Sequence, residues 1–259
     1  MSAIRYAVDD RVATITIDRP EKRNAMTWAV LAAFHDAVAS AAADPDAQVV
    51  ILTGAGGAFC AGTDLTDLAA TPAEDRAARG RGERARPPWP LVACPKPVIA
   101  AVDGPAVGMG AELATQCDVR IASTSARFAW NFVRRGLVAD TGAGTFLLPR
   151  LIGPTEALRL LCSGDFLDAE AALRLGFVSA VVEPAALLDA ARAEAERYLT
   201  ASPFAVARTK QLVYAGLDGD ADAHASRTAA SLAACFTSDD HREGVAAFLE
   251  RREPRFTGR

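Results

Sequence analysis

Two carboxylates, Glu112 and Asp140, each lie beside a glycine-rich turn at a predicted helix start. A carboxylate in this position is often only a cap or a partner of the helix dipole. Asp140, however, directly follows Val138 and Ala139 and comes eight residues after Phe132. Such apolar surroundings raise the pKa of a carboxyl group and suit it to proton transfer near neutral pH. These two side chains are therefore candidate acid–base groups.

Two glycine-rich loops follow predicted buried strands. One occupies residues 54–65, and the other contains Gly104, Gly108 and Gly110 ahead of a helix. Glycine lets the backbone come close to a ligand, and the free N–H groups of a helix N-terminus bind oxyanions. The same glycines are compatible with simple close packing of a helix on a strand. Both interpretations stay open from the residues alone.

Other catalytic motifs are incomplete. The dinucleotide-binding fingerprint lacks its third glycine, since Leu113 and Phe59 occupy the two candidate positions. The chain contains neither a Walker-type glycine-lysine loop nor a Gly-x-Ser-x-Gly nucleophile motif. The histidines are isolated, and no cysteine–histidine spacing indicates zinc. We therefore expect no metal and no redox cofactor.

Composition is that of an ordinary globular protein. The 259 residues are 51% hydrophobic and 23% charged, with a formal net charge of −4. This charge argues against a general nucleic-acid-binding surface. No apolar run approaches the ~20 residues that span a bilayer, and the first residues do not resemble a secretory signal. Five scattered cysteines, an odd number, indicate reduced thiols. We expect a cytoplasmic protein without membrane association.

The predicted elements alternate between strands and helices, which favours an α/β architecture. Thr27 is a plausible N-cap for a helix to about residue 43, and Asp168 for a helix ending at Gly176. Another helix is expected to open after Asp140 and to end near Leu151. Beyond residue 184 the pattern is almost wholly helical, over about 184–200, 203–216, 221–235 and 238–252.

A charged segment, residues 71–90, interrupts this alternation. It carries Arg76, Arg79, Arg81, Arg84 and Arg86 among acidic residues and closes on Pro-Pro-Trp-Pro. A solvated surface helix, a flap over an anionic ligand and a weak RNA-binding patch are all compatible with this pattern. The arginines are equally suited to attract the phosphates of a nucleotide.

Several stretches together resemble the crotonase superfamily, the enoyl-CoA hydratase/isomerase family, along essentially the full chain. They are residues 18–25, 58–65, 96–104, 117–122, 149–153 and 243–252. The resemblance implies a crotonase (ClpP-like) spiral of ββα units over residues 1–195 and a C-terminal helical trimerisation region over 196–259. It also implies a homotrimer or a hexamer built as a dimer of trimers.

The family's common chemistry gives the glycine loops a role. It holds an acyl-CoA thioester carbonyl between two backbone N–H groups that stabilise the enolate, and one such donor contributes roughly 3–4 kcal/mol. By motif position the donors are the N–H groups of Thr63 and Met109, where the family usually has glycine at the second position. The methionine side chain must then point away from the substrate. Coenzyme A is part of the substrate, so the resemblance implies no separate cofactor.

The same resemblance implies a set of substrate-binding residues. They are Lys22, Ala25, Ala61, Asp64, Leu65, Gly108, Phe132, Phe248 and Arg251. Phe248 and Arg251 are expected at the nucleotide end of coenzyme A, and a neighbouring subunit is one possible source of them.

The reaction depends on which carboxylates are present. Hydratases of the family hold a water between two glutamates; Glu112 matches the first position, but Phe132 occupies the second. Asp140 stands where several isomerases carry their acid. Residues 132–142 resemble the ring-opening epoxide isomerase of phenylacetate breakdown, although that type would have an uncharged residue in place of Glu112.

The sequence therefore predicts an acyl-CoA isomerase that moves a double bond from Δ3 to Δ2. Asp140 is the predicted proton carrier, and Glu112 orients substrate or serves as a second acid–base group. The nearest alternative is an enoyl-CoA hydratase that uses Glu112 together with Asp140. A more remote alternative is an RNA-binding protein on the same fold, with the charged segment as its contact surface.

Overall fold

The structure, a computed structural model, describes residues 3–75 and 89–259. The arginines of the charged segment, residues 76–86, lie outside the described residues, so the three interpretations of that segment stay predictions. Among the described residues, no helix is both long enough and apolar enough to cross a membrane.

Nine strands and twelve α-helices are found in the described residues. The strands are β1 (Ile4–Asp9), β2 (Val12–Ile17), β3 (Val49–Gly54), β4 (Val98–Val102), β5 (Pro105–Val107), β6 (Val119–Ser123), β7 (Arg127–Ala129), β8 (Leu167–Asp168) and β9 (Ala180–Val182). The helices before residue 180 are α1 (Trp28–Ala43), α2 (Leu65–Ala70), α3 (Pro90–Ala93), α4 (Met109–Gln116), α5 (Ala143–Phe146), α6 (Leu148–Ile152), α7 (Pro154–Ser163) and α8 (Ala169–Arg174). The remaining helices are α9 (Leu187–Leu199), α10 (Pro203–Gly216), α11 (Ala221–Phe236) and α12 (Asp239–Glu250).

The main sheet has the strand order β1-β2-β3-β4-β6-β9. The β1–β2 pair is antiparallel, and every other pair in this sheet is parallel. A second sheet has the order β5-β7-β8. Because β3 and β4 are parallel neighbours, with Ile51 opposite Ile99, their carboxyl ends meet at one edge. Both glycine-rich loops leave from that edge, so the sheet itself places them side by side.

Both faces of the central strands β3 and β4 are buried, as expected for parallel strands. One face, with Val50, Leu52 and Val98, joins the large core that also contains residues of α1 and α4. The opposite face, with Ile51 and Ile99, is covered by α9. All residues of β4 are buried, which agrees with its continuous apolar sequence.

Local signals placed the helices well. Thr27 caps α1 by accepting the Val30 N–H at 3.2 Å, and Asp168 caps α8 by accepting the Ala171 N–H at 2.7 Å. The single helix expected between Asp140 and Leu151 is wrong, because the structure has two short helices, α5 and α6. Pro149 has no N–H to continue the first helix, so the chain restarts at Leu148.

The C-terminal helices attach to the core through a buried lysine. Lys210 of α10 donates to Asp118 Oδ2 at 2.7 Å and to the carbonyls of Leu91 and Lys96. Beyond it, α11 has no buried residue, and the apolar side chains of Phe236, Phe248 and Leu249 are exposed. The division at residues 195 and 196 stays a prediction.

Candidate active site

The two glycine-rich loops touch through their backbones. Cys60 N–H donates to Pro105 O at 3.0 Å, and Val107 N–H donates to Cys60 O at 2.9 Å. A Cβ built on Gly110 would lie 2.1 Å from Cys60 O, so only glycine permits this approach. Close backbone packing is thus one function of these glycines.

The Thr63 amide is left free by this arrangement. Met26 pairs with both neighbours of Thr63: its N–H donates to Gly62 O, and its O accepts from Asp64 N–H, each at 2.8 Å. In a parallel bridge the intervening N–H points away from the partner strand. Within residues 3–75 and 89–259, the Thr63 N–H has no backbone acceptor.

The Met109 amide is the first of α4 and is equally free among the described residues. Gly108, with φ of 54° and ψ of −117°, turns the chain so that the start of α4 faces the glycine-rich loop of residues 54–65. A Cβ built on Gly62 would lie only 3.7 Å from Met109 N. The Met109 side chain is 6% exposed and belongs to the hydrophobic core; that it points away from a substrate stays a prediction. Two unpaired donors therefore lie on adjoining loops, an arrangement that suits a developing oxyanion.

Glu112 lies one turn into α4 and is fully buried. Its Oε1 accepts the Gly144 N–H at 2.8 Å, and its Oε2 accepts the hydroxyl of Thr141. Burial raises the pKa of Glu112 to about 7, with a smaller upward contribution from the charge of Asp140, while the Thr141 hydrogen bond opposes the shift. Glu112 can therefore change its protonation state near neutral pH, and it is already held by two donors.

Asp140 lies on the loop between the 3-10 turn Asn131–Arg135 and α5. The residue is exposed, and Val138 beside it is 79% exposed, so this neighbour does not shield it in the way the sequence suggested. Desolvation by surrounding protein nevertheless raises the pKa of Asp140 to about 6. Among the described residues, no side chain donates a hydrogen bond to its carboxyl group. Its hydrogen-bond partners are the backbone amides of Thr141 and of Asp140 itself, which oppose the upward shift of the pKa.

Phe132 forms an apolar wall beside the second loop. Its ring carbon Cζ lies 3.8 Å from where a Cβ of Gly108 would be, and the residue is 9% exposed. The surface beside Gly108, the residue before Met109, is thus apolar.

The other predicted substrate-binding residues fall into two groups. Lys22, Ala25, Ala61 and Asp64 lie on connected loops: Ala61 N–H donates to Arg23 O at 2.9 Å, and Arg19 bonds both Ala25 O and Asp64. Asp64 also caps α2, so it has a structural role that is independent of any ligand. Leu65, the first residue of α2, is half-exposed. Phe248 and Arg251 lie on and just after α12, and no described contact joins them to the loops within one chain.

Three residues of the site were missed by sequence reasoning. Thr141 and Gly144 bind Glu112, and Trp89 donates its indole N–H to Thr141 O at 2.9 Å. The sequence indicated that a helix begins after Asp140, but it did not indicate that Thr141 and Gly144 bind Glu112. No local pattern links Trp89 to Thr141, which lies 52 positions away. Among the described residues, no group of three or more His, Cys, Asp or Glu side chains is placed to hold a metal ion.

Comparison with known proteins adds to this geometry. Residues 8–259 match the family model described as "Enoyl-CoA hydratase/isomerase". The chain is 40% identical over 256 residues to (E)-benzylidenesuccinyl-CoA hydratase of Thauera aromatica, covering 98% of this chain and 99% of that protein. It is 36% identical to 1,2-epoxyphenylacetyl-CoA isomerase of Escherichia coli strain K12, covering 100% of both chains. A crystal structure of the enoyl-CoA hydratase EchA1 from Mycobacterium marinum matches with a TM-score of 0.89 at 40% identity, again covering 100% of both chains.

Proposed function

The chain belongs to the enoyl-CoA hydratase/isomerase family, whose crotonase fold it has, and from this we propose that it isomerises a 3-enoyl-CoA thioester to the 2-enoyl isomer. An enzyme of this family acts on acyl-CoA thioesters. The specific reaction is our proposal and rests on how the two carboxylates of the site are held.

In the proposed reaction, Asp140 acts as a proton carrier. Its carboxylate removes a proton from the carbon α to the thioester, and the electron pair of that C–H bond moves into a dienolate. The N–H groups of Thr63 and Met109 hold the dienolate oxygen, which lowers the barrier to its formation. Asp140 then returns the proton to the γ carbon, so the product has the same mass and a shifted double bond. Coenzyme A enters as part of the substrate, and the proposal requires no other cofactor.

One observation carries the proposal: Glu112 is fully buried, whereas Asp140 is exposed to solvent. Both oxygens of Glu112 are already hydrogen-bonded inside the protein, whereas Asp140 has no side-chain donor among the described residues. The third relevant position, Phe132, cannot accept a proton. A single exposed carboxylate without a side-chain donor suits a proton shuttle better than a pair that must hold a water between them.

Hydration of a 2-enoyl-CoA is the second candidate. The relative from Thauera aromatica is named a hydratase at 40% identity, and the pKa of Glu112, about 7, is suitable for a group that exchanges protons with water. In that case Glu112 and Asp140 would have to orient the water together, although the Thr141 and Gly144 donors already bind Glu112.

Mass spectrometry of the products distinguishes the two reactions. The protein is incubated with 3-hexenoyl-CoA and, separately, with crotonyl-CoA. Isomerisation leaves the mass unchanged and gives 2-hexenoyl-CoA, whereas hydration adds one water to crotonyl-CoA. Isomerisation as the faster reaction supports the proposal, and hydration without isomerisation contradicts it.

We also propose that the protein is a homotrimer or a hexamer. Large apolar side chains on the C-terminal helices have no cover in one chain; they include Leu232, Phe236, Phe248 and Leu249, with Phe248 82% exposed. Residues 248 and 251 would then reach the nucleotide end of coenzyme A across a subunit boundary. Sedimentation velocity tests this: a monomer at micromolar concentration contradicts the proposal.

A cytoplasmic location remains part of the proposal. The thiols of Cys60, Cys94 and Cys117 are buried and none of the five cysteines is in a disulfide, which is compatible with a reducing compartment.

A further inference from the structure

The loop that carries Asp140 has little support of its own. Residues 138–140 make no backbone-to-backbone hydrogen bond with another described residue. Val138 is exposed, and Asp140 has no side-chain donor among the described residues. A catalytic group must nevertheless be held close to its productive position, since a displacement of about 1 Å costs roughly 100-fold in rate. The position of Asp140 must therefore be set by its neighbours.

Thr141, the next residue, is held from several sides. Its hydroxyl donates to Glu112 Oε2 and accepts the Ala143 N–H at 3.2 Å. Because one lone pair of this hydroxyl is used by Ala143, its proton is directed at the carboxylate. On the other side of the residue, Thr141 O accepts the indole N–H of Trp89 at 2.9 Å.

Both partners of Thr141 are fixed to the core. All eight residues of α4, which carries Glu112, are buried. Trp89 packs on Phe146 with ring centroids 5.3 Å apart, and it precedes α3, whose Leu91 is fully buried. Thr141 thus connects residues 138–140 to two parts of the core, α4 through Glu112 and the start of α3 through Trp89.

We propose that Thr141 is a positioning residue that sets the place of Asp140 relative to Glu112, with Trp89 as its second anchor. This inference deepens the proposed function and rests on Asp140 acting in the reaction. Thr141 hydrogen-bonds Glu112, and the proposal gives it no contact with the thioester carbonyl or the reacting carbon. Its effect is expected in kcat, because it sets the geometry of the proton transfer and leaves the binding of coenzyme A unchanged.

Four variants test the inference. Thr141→Val keeps the shape of the side chain and removes the hydroxyl, whereas Thr141→Ser restores it. Trp89→Phe keeps an aromatic ring against Phe146 and removes the indole donor. Thr145→Val is the matched control, because it makes the same change nearby, where the hydroxyl donates only to Gly142 O.

The expected result is a fall in kcat of roughly 10- to 100-fold in Thr141→Val, with KM within about threefold of wild type. Thr141→Ser should recover at least about half of the wild-type kcat, and Trp89→Phe should fall between the two. Thr145→Val should stay close to wild type. Turnover of Thr141→Val within twofold of wild type overturns the inference, as does equal impairment of Thr141→Ser or Thr145→Val.

A spectroscopic measurement separates positioning from unfolding of the loop. The indole N–H of Trp89 bonds the backbone of Thr141, so its resonance in a ¹⁵N-labelled sample reports whether the loop stays in place. We expect this resonance to be preserved in Thr141→Ser and only shifted in Thr141→Val. Its complete loss in Thr141→Val, with collapse of KM as well as kcat, would indicate a structural role and overturn the inference.

The test remains valid if the proposed function is wrong. All variants are assayed for isomerisation of 3-hexenoyl-CoA and for hydration of crotonyl-CoA. A wild-type protein that only hydrates contradicts the proposed function, and the variants are then ranked on hydration, which also uses Glu112 and Asp140. The same order of variants supports the positioning role in either reaction.

Discussion

Glu112 and Gly144 approach each other so closely that no side chain fits at position 144. The Gly144 N–H donates to Glu112 Oε1 at 2.8 Å, and a Cβ built on Gly144 would lie 2.2 Å from the same oxygen and 2.8 Å from Trp130 Cδ1. The start of α5 is therefore shaped around the buried carboxylate. This contact joins the helix of the second glycine loop to the segment that carries Asp140.

Gly144→Ala should displace Glu112 and destabilise the protein. The added methyl group overlaps a buried carboxylate and an indole ring, and overpacking of this kind costs about 1–3 kcal/mol. Urea unfolding followed by circular dichroism measures the loss.

The matched control is Gly244→Ala in α12. A Cβ there would meet Phe256 at an ordinary 3.5 Å, and Gly244 has no positive φ. Because alanine favours helices, this variant should be neutral or stabilised by roughly 0.5–1 kcal/mol. Equal stability of the two variants would show that position 144 has more room than the structure gives it.

Glu112→Gln should stabilise the protein at alkaline pH. The pKa of Glu112 is raised in the folded state to about 7, above the ordinary value of about 4.3 for glutamate. The contribution of this group to stability is fully present below about pH 4 and is lost as pH rises through about 7. Between these two pH values the free energy of unfolding of wild type should therefore fall by on the order of 3 kcal/mol because of Glu112. That of Glu112→Gln should not fall for this reason.

Urea unfolding of both proteins at pH 4, 6 and 8 measures this difference. The free energy of unfolding of the variant should increase relative to that of wild type as pH increases. A constant difference across the series would mean that the carboxyl group of Glu112 is not penalised by burial.

Activity should decline on the acid side, with an apparent pKa at or below about 6. Asp140 must be ionised to remove a proton, and desolvation by the surrounding protein raises the pKa of its carboxyl group to about 6. Exposure of the residue to water weakens such a shift, so the apparent value should lie between about 4 and 6 in the free enzyme. The profile of kcat/KM for isomerisation between pH 4 and 8 measures it.

Glu112→Gln identifies the group responsible for that limb of the profile. If Asp140 is the base, the acid limb remains in this variant. Disappearance of the limb would assign it to Glu112 instead and would favour the hydratase mechanism.

The sequence predicted those parts of the fold that depend on local chemistry. Thr27 as the cap of α1 and Asp168 as the cap of α8 are both confirmed, since capping acts over a few residues. The order of strands in the sheet was not predictable from such signals. It depends on which distant strands pair, and β6 and β9 lie about 60 residues apart in the chain.

The candidate site shows the same limit. The candidate amides of Thr63 and Met109 and both carboxylates were predicted from recognisable loops, whereas the contacts that hold those carboxylates were not. Thr141 and Trp89 meet across 52 residues, and the need for glycine at 144 arises from a carboxylate 32 residues earlier in the chain. The raised pKa of Asp140 has the direction expected from its sequence neighbours, but Val138 is exposed and the desolvation comes from the surrounding fold.

The conversion of 3-hexenoyl-CoA to 2-hexenoyl-CoA by Asp140→Asn tests the central claim most directly. Asparagine keeps the size of the side chain and cannot carry the proton. We predict a fall in kcat of roughly 10²–10⁴-fold, with the dissociation constant for the acyl-CoA within about threefold of wild type because the Thr63 and Met109 amides are unchanged. Isomerisation by Asp140→Asn at a rate close to that of wild type would contradict the account.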